Sequence, residues 1–241
     1  IADRQFHMFL QPQIANDGAI VGAEALVRWI HPEKGMISPG IFIPTLEKAG
    51  LIHKLDLYMW ESAARKLEEW KESGIEKYSI SVNISTKDFY YLDICESFRV
   101  LAEKYDFDRK KLKLEITESA LMENVQKNMK TLDGLHGLGY DIEIDDFGSG
   151  YSSLGMLKDI HADILKIDMI FLQETQNVQR STTILKNIIT MSKELGMPVI
   201  TEGVETKEQV DFLMRVGCDM FQGFYFARPM KVESFESEYC Q

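Results

Sequence analysis

The stretch Asp141-Ile142-Glu143-Ile144-Asp145-Asp146 decides how this chain is read. Its centre is apolar and β-branched, the composition that suits a buried, pleated strand. It ends in two adjacent carboxylates. The same design recurs along the chain. Upstream stand Val21-Gly-Ala-Glu24-Ala-Leu26, Ser79-Ile-Ser-Val-Asn83-Ile-Ser85 and Lys113-Leu-Glu115-Ile-Thr-Glu118. Downstream follow Ile164-Leu-Lys166-Ile-Asp168, Val199-Ile-Thr-Glu202-Gly-Val-Glu205 and Asp219-Met-Phe-Gln222-Gly223. Each run carries a carboxylate, an amide or a lysine at or near its C-terminal end. In a (β/α)8 barrel those ends converge on one face, where the chemistry sits. So many carboxylates stay ionised at close quarters only when cations join them. The pattern predicts an α/β barrel enzyme with a divalent-metal site.

Between the runs lie helical patterns. Four of these close on a glycine followed by a strand-like run, at Gly74, Gly139, Gly196 and Gly217. Glycine just past a helix adopts the left-handed conformation that turns the chain. Ile52, Leu55, Met59, Ala63, Leu67 and Trp70 form one apolar helical stripe. Leu132, Leu135 and Leu138 mark another, and Ile184, Ile188, Met191 and Leu195 a third. Ser38-Pro39 reads as an N-cap with proline at the first helical position. Thr206-x-x-Gln209 reads as a capping box. Strands alternating with helices indicate βαβ units. An open doubly wound sheet would gather its residues near one switch point, so a closed barrel is favoured.

The length of 241 residues is close to the ~250 of one such barrel. Residues 1–241 are expected to form a single domain. The polar start, without an initiator Met, suggests a piece cut from a longer protein. No apolar stretch approaches the ~20 residues that span a bilayer, and no secretory signal opens the chain. A net charge of −11 opposes nonspecific binding to DNA, RNA or an anionic membrane, whose phosphates need Lys and Arg. Bound metal ions can still invert the local sign for a small phosphate substrate. Cys95, Cys218 and Cys240 have no metal-ligand spacing and are expected to be reduced thiols in the cytoplasm.

Glu24, Asn83, Glu115 and Asp145 make a set of hard oxygen donors, which suits Mg²⁺ or Mn²⁺ over Zn²⁺. None of the five histidines is expected at a strand end. Adjacent strand residues point to opposite faces. Asp145 and Asp146 can therefore reach one site only where the strand ends and bends. A polar turn with Asp capping the next helix is the plain alternative. Lys166 inside an apolar strand is costly to bury unpaired. It could form an ion pair with Asp168, act as a positioned cation or base, or be a Schiff-base lysine. Glu202 and Glu205 straddle the next strand end. One could bind metal while the other holds Lys166 or a loop, or Glu205 could favour a helix N-terminus by charge alone.

Taken in order, these residues resemble the EAL domain, the cyclic di-GMP phosphodiesterase domain of bacterial signalling proteins. The likeness runs from Phe9-Leu-Gln11-Pro12 to Phe226-Ala-Arg228-Pro229. It rests on Glu24-Ala25-Leu26 with Val-Arg28-Trp29, then Val82-Asn83-Ile-Ser85 and Leu114-Glu115-Ile-Thr-Glu118-Ser119. Asp145-Asp146-Phe-Gly-Ser-Gly-Tyr-Ser-Ser153, Lys166-Ile-Asp168, Glu202-Gly-Val-Glu205-Thr206 and Gln222-Gly223 complete the series. The resemblance implies a modified TIM (β/α)8 barrel whose first strand is antiparallel to the others. It implies two-metal, in-line hydrolysis of cyclic di-GMP to linear pGpG by an activated water. By motif position, Glu24, Asn83, Glu115 and Asp145 would hold one Mg²⁺ or Mn²⁺. Asp145 would bridge to a second ion beside Asp146 and Glu202, and Ca²⁺ would serve poorly.

Lys166 would contact the attacking water, and Glu202 would share its catalytic surroundings. Glu118 lies three residues past Glu115 and is expected to act indirectly. It would couple metal binding to the loop Phe147, Gly148, Ser149, Gly150, Tyr151, Ser152 and Ser153, and so to homodimer contacts. Gln11, Arg28, Asp168, Glu205 and Gln222 would face the substrate. Ser149, Met169, Glu143 and Leu10 stand where the family more often has Thr, Arg, a small residue and Tyr. Two rivals are a turnover-free binding module, which would lack a metal ligand, and a Schiff-base barrel built on Lys166.

Overall fold

The computed structural model describes residues 4–148, 157, 158, 160–172 and 178–240. The elements in chain order are β1 (Phe6–Ala15), β2 (Ile20–His31), β3 (Gly35–Ile37), α1 (Pro39–Lys48) and α2 (Ile52–Glu72). Then come β4 (Ser79–Ile84), α3 (Asp88–Tyr91), α4 (Ile94–Lys104), β5 (Leu112–Thr117), α5 (Glu118–Met122) and α6 (Val125–Gly137). The last part holds β6 (Ile142–Phe147), β7 (Ile164–Ile167), α7 (Val178–Glu194), β8 (Val199–Thr201) and α8 (Lys207–Val216). It finishes with β9 (Met220–Phe221), β10 (Met230–Lys231) and α9 (Val232–Tyr239).

Eight strands close a ring in the order β1-β9-β8-β7-β6-β5-β4-β2 and back to β1. β2 and β4 through β9 run parallel, whereas β1 is antiparallel to both its neighbours. This is the modified (β/α)8 barrel expected from the resemblance, with its first strand reversed. The reversal has a local cause. β1 and β2 are joined by the short turn Asn16-Asp17-Gly18, in which the Gly18 N–H donates to the Ala15 carbonyl at 2.9 Å. Gly18 takes φ +87°, a conformation that glycine adopts without a Cβ penalty. So short a link permits only a hairpin, because a parallel pair needs a crossover.

The strand-like runs of the sequence all fall on barrel strands. The glycines foreseen as helix stops, Gly74, Gly139, Gly196 and Gly217, all have positive φ. The Thr206 capping box forms with both of its hydrogen bonds. The whole α2 stripe from Ile52 to Trp70 is buried. On α7 the helix was foreseen but its inner face was not. Leu185, Ile189 and Ser192 are buried, while Ile184 and Leu195 are exposed. The buried face is turned one residue from the expected stripe, since a helix facing a curved barrel is oriented by its neighbours as well as by its own pattern. His31 corrects a second expectation. It is the last residue of β2, yet its Nδ1 accepts the N–H groups of Glu33 and Lys34 and serves the turn into β3.

Gly223 sits so close to the Val204 backbone that an added Cβ would lie 2.1 Å from the Val204 carbonyl oxygen. Backbone cannot yield as a side chain can. Gly223→Ala is expected to destabilise the fold by about 1–3 kcal/mol, the usual cost of overpacking. Urea unfolding of the variant beside the parent protein checks this, and an unchanged midpoint would contradict the steric account.

Candidate active site

β2, β4, β5, β6, β7 and the residue just past β8 bring six of the foreseen side chains to one end of the barrel. Glu24 does not end its strand as expected, because it is the fifth of the twelve residues of β2, which runs on to His31 to pair with β3. At the centre of these side chains is Lys166, fully buried on β7. Its Nζ lies 2.7 Å from Glu202 Oε1, 2.9 Å from Glu115 Oε1, 3.1 Å from Asp145 Oδ1 and 3.8 Å from Glu24 Oε2. Burial alone would depress the lysine. The facing carboxylates, Asp145 foremost, outweigh it and hold the pKa well above the ordinary value. The ammonium is therefore charged. The suggested pairing with Asp168 is not what the fold builds. Asp168 Oδ1 instead accepts the Ile170 N–H at 2.6 Å. Glu205 is not among the carboxylates within 4 Å of Lys166 either. Its backbone N–H donates to Gln209 Oε1 at 2.7 Å, ahead of the α8 cap.

Asp145 and Asp146 reach the same place because β6 is bulged. Between Ile144 and Phe147 the strand has one residue more than β7 opposite it. Asp146 there adopts φ +55°, in the left-handed region. A bulge re-aims the side chain that would otherwise point away. As a result one oxygen from each of Asp145, Asp146 and Glu202 fits within a 4.8 Å span. Crowding shows in the acidities. Burial, then Asp145 and Asp168, push Asp146 up to about 6. Burial, then Asp145 and Glu24 against the relief from Lys166, lift Glu202 to about 8. Burial and Glu24 raise Glu115 well above the usual carboxylate range. For Glu24 burial is outweighed by Lys166 and by the Gln222 and Asn83 amides, so it falls below its ordinary value.

Amides hold the carboxylates in place. Asn83 Nδ2 donates to Glu24 Oε1 at 3.1 Å, and Gln222 Nε2 donates to Glu24 Oε2. Gln222 Nε2 also reaches Gln11 Oε1 at 3.4 Å, while Gln11 Nε2 donates to the Ala227 carbonyl at 3.2 Å. Two further members escaped sequence reasoning. Gln13 Nε2 donates to Gln222 Oε1 at 3.2 Å, and the Ser81 hydroxyl donates to Glu115 Oε1. Their signal was the alternation Gln11-Pro-Gln13 and Ser79-Ile-Ser81-Val-Asn83, in which every second residue is polar and faces the barrel interior.

Two clefts meet at Glu24 and Leu26. One, of about 410 Å³, is lined by Gln11, Asp145, Asp146, Asp168, Glu202, Glu205 and Gln222. The other, of about 470 Å³, takes in Arg28, Asn83, Ser85 and Thr117. Arg28 lies over the Phe9 ring, 5.8 Å from its centroid. Asp56 on α2 also lines this second cleft and went unnoticed in the sequence; burial and Asp88 push it up to about 9. Glu118 is buried in the first turn of α5 and is not one of the carboxylates around Lys166. Of the foreseen loop, Phe147 is buried, and Gly148 has φ +94° with no room for a Cβ against Phe171. Ser149, Gly150, Tyr151, Ser152 and Ser153 lie outside the described residues.

The donor set fits hard divalent ions. It is all oxygen, and the buried Glu115 Oε2 accepts no hydrogen bond among the described residues. The carboxylates of Glu24, Glu115, Asp145, Asp146 and Glu202 against one ammonium leave a formal charge of about minus four, which two divalent cations balance. A Schiff-base role fits poorly, because a lysine held charged by carboxylates is not a nucleophile.

Comparison with known proteins agrees with this geometry. MucR of Pseudomonas aeruginosa, a bifunctional diguanylate cyclase/cyclic di-GMP phosphodiesterase, is 38% identical over 95% of this chain and 34% of its own length. The signaling protein YkoW of Bacillus subtilis is 37% identical over 98% of this chain and 30% of its own length. The chain thus spans about a third of the length of these curated relatives. A solved structure of the PaMucR phosphodiesterase in a c-di-GMP complex superposes with a TM-score of 0.92 at 37% identity, covering 97% of this chain and 95% of that one. An EAL domain protein from Listeria monocytogenes superposes at 0.83 with 28% identity, over 99% and 94% of the two chains. With the family pattern matched over residues 1–229, this chain belongs to the EAL domain family.

Proposed function

We propose that this barrel is the catalytic domain of a longer signalling protein and hydrolyses cyclic di-GMP to linear pGpG. The observation that carries this is the meeting of all six foreseen metal ligands at one end of the barrel: Glu24, Glu115, Asp145 and Glu202 around Lys166, Asn83 on Glu24, and Asp146 beside Asp145 and Glu202. A turnover-free binding module would be expected to have lost one. Glu24, Asn83, Glu115 and Asp145 would hold one Mg²⁺ or Mn²⁺, and Asp145, Asp146 and Glu202 a second. When bound, two such ions neutralise the phosphate and stabilise the attacking and leaving oxygens of an in-line displacement.

The protein's own groups set the geometry. Gln222 and Asn83 fix both oxygens of Glu24, and Ser81 fixes Glu115. The charged Lys166 ammonium cannot accept a proton, so it orients the attacking water and steadies charge developing on the phosphate. The water oxygen bonds to phosphorus as the bond from phosphorus to the 3′ oxygen of the neighbouring ribose breaks, and the proton given up by the water ends on that departing 3′ oxygen. Arg28 and Gln11 would hold phosphate and base across the two clefts, with Gln222 at the floor and Asp168 and Glu205 along the walls of the cleft they share with Gln11. Glu118 would act at one remove, tying the segment after Asp146 to the ring. Pairing of two copies near residues 146–153 belongs to the same proposal and is supported by the exposed apolar pair Met169 and Ile170, of which Met169 shares a cleft with Asp146.

Incubation with cyclic di-GMP and chromatography of the products tests the activity. Turnover to pGpG should vanish with EDTA and return with Mg²⁺ or Mn²⁺. Ca²⁺ should restore it poorly, because it prefers longer bonds and looser geometry. Full turnover after chelation would sink the metal-dependent reading.

Lys166→Met keeps the volume of the buried side chain and removes its charge. The rate should fall on the order of 10²–10⁴, the range for a positioned proton-transfer or orienting group, with cyclic di-GMP affinity much less affected. Circular dichroism must accompany the assay, since removing one partner of a buried pair also costs roughly 3–5 kcal/mol. A folded variant with near-normal kcat would reduce Lys166 to a structural cation.

Protons and cations compete for the same oxygens. With Asp146 near 6 and Glu202 near 8, divalent affinity should strengthen as pH rises from about 6 to 8. Calorimetry across that interval should also detect proton release on cation binding. A flat profile would contradict the crowding described for these two groups.

A further inference from the structure

Inside the barrel, next to the carboxylate ring, lies a second pair of charges that the proposed chemistry does not use. Glu143 is fully buried on β6, two residues before Asp145 and on the same side of the strand. Its Oε1 lies 3.2 Å from Lys113 Nζ, and Lys113 is two residues before Glu115 on β5. The register makes Glu143 the direct cross-strand neighbour of Glu115, whereas Lys113 stands opposite Ser81. Like charges facing each other across a sheet are destabilising. Among the described residues, neither Glu143 oxygen accepts a hydrogen bond, and Glu115 Oε2 does not either. Two buried carboxylates are thus set side by side with few donors between them. An apolar pair at 113 and 143 would fill the same interior at lower cost.

We propose that Glu143 is a positioning residue for the cation site. Its charge, set behind Glu115, raises the affinity of the ring for divalent ions, and Lys113 limits how much of that charge the ring feels. The proposal rests on the divalent-ion reading of the ring. An ion pair that merely held β5 to β6 would leave ion affinity untouched when neutralised. A pair acting through Glu115 predicts changes of opposite sign when its two members are neutralised one at a time.

The test is Mn²⁺ binding without substrate, by isothermal titration calorimetry, with melting curves to confirm folding. Glu143→Gln should weaken binding on the order of tenfold or more, as removal of a unit charge close to a divalent ion in a medium of low effective dielectric requires. Lys113→Met should tighten it, and the double variant should fall between Glu143→Gln and the parent protein. Glu143→Gln within twofold of the parent, or both single variants shifting in the same direction, would overturn the proposal. If Lys113→Met does not fold, the neutral double variant decides. Binding tighter than that of Glu143→Gln supports the proposal, and equal binding overturns it. A parent protein that binds no Mn²⁺ or Mg²⁺ defeats the reading of the ring itself, and this proposal with it.

Discussion

A lysine ammonium closed inside a barrel constrains everything around it. Lys166 has no contact with solvent, and a lone charge in such a place would be lost to deprotonation. It persists because Glu115, Asp145 and Glu202 stand within about 3 Å of it and Glu24 just beyond. One ammonium cannot balance them all, and burial first, with the surplus of negative charge behind it, raises Glu115, Asp146 and Glu202 together. The same surplus is what suits this ring to the small, hard divalent cations proposed for it.

Holding the carboxylates apart from one another takes donors, and the barrel supplies them from β1, β4 and the end of β9. β1 contributes Gln11 and Gln13, β4 contributes Ser81 and Asn83, and Gln222 follows directly on β9. These side chains face inward at alternate positions, so the upper barrel is polar where an ordinary barrel would hold layers of Val, Ile and Leu. The apolar residues sit instead on the outward faces of the strands, under the helices, where Trp60, Phe98 and Tyr140 pack in a row. Stability and chemistry are thereby assigned to opposite faces of the same strands.

Much of this was legible in the chain because the signals are local. A β-branched run followed by an acid marks a strand end, a glycine after a helical stripe marks a helix stop, and Thr206 with Gln209 marks a helix start. Lys166, Glu115, Asp145 and Glu202 could be named for the same reason. Their mutual arrangement could not, because it depends on register. Asp168 is nearer to Lys166 in sequence than any carboxylate that surrounds it, yet closure of the barrel hands the lysine to strands far along the chain. The bulge at Asp146 has no composition cue, since a carboxylate with positive φ is spelled like any other. β1 was expected only through the family resemblance and not from its own composition, because Pro12 in its middle opposes a central strand, although Asn16-Asp17-Gly18 carries the mark of a hairpin. The face of α7 slipped by one residue because Ile184 and Leu185 are equally apolar.

The reversed first strand has a kinetic consequence. β1 meets β2 across a tight turn, a contact that can form as soon as the hairpin is made. Its other edge must find β9, and the Gln222–Gln11 hydrogen bond joins residues 211 positions apart. Contacts of such span are paid for in loop-closure entropy before they return anything, so they tend to come late. The ring is completed by that seam: Glu24 arrives early with the hairpin, while its partner Gln222 comes from the far end of the chain. An incompletely closed barrel would carry nearly all the right residues and still lack the pocket. Cation binding would then report on closure, favouring the sealed barrel over any open form by mass action.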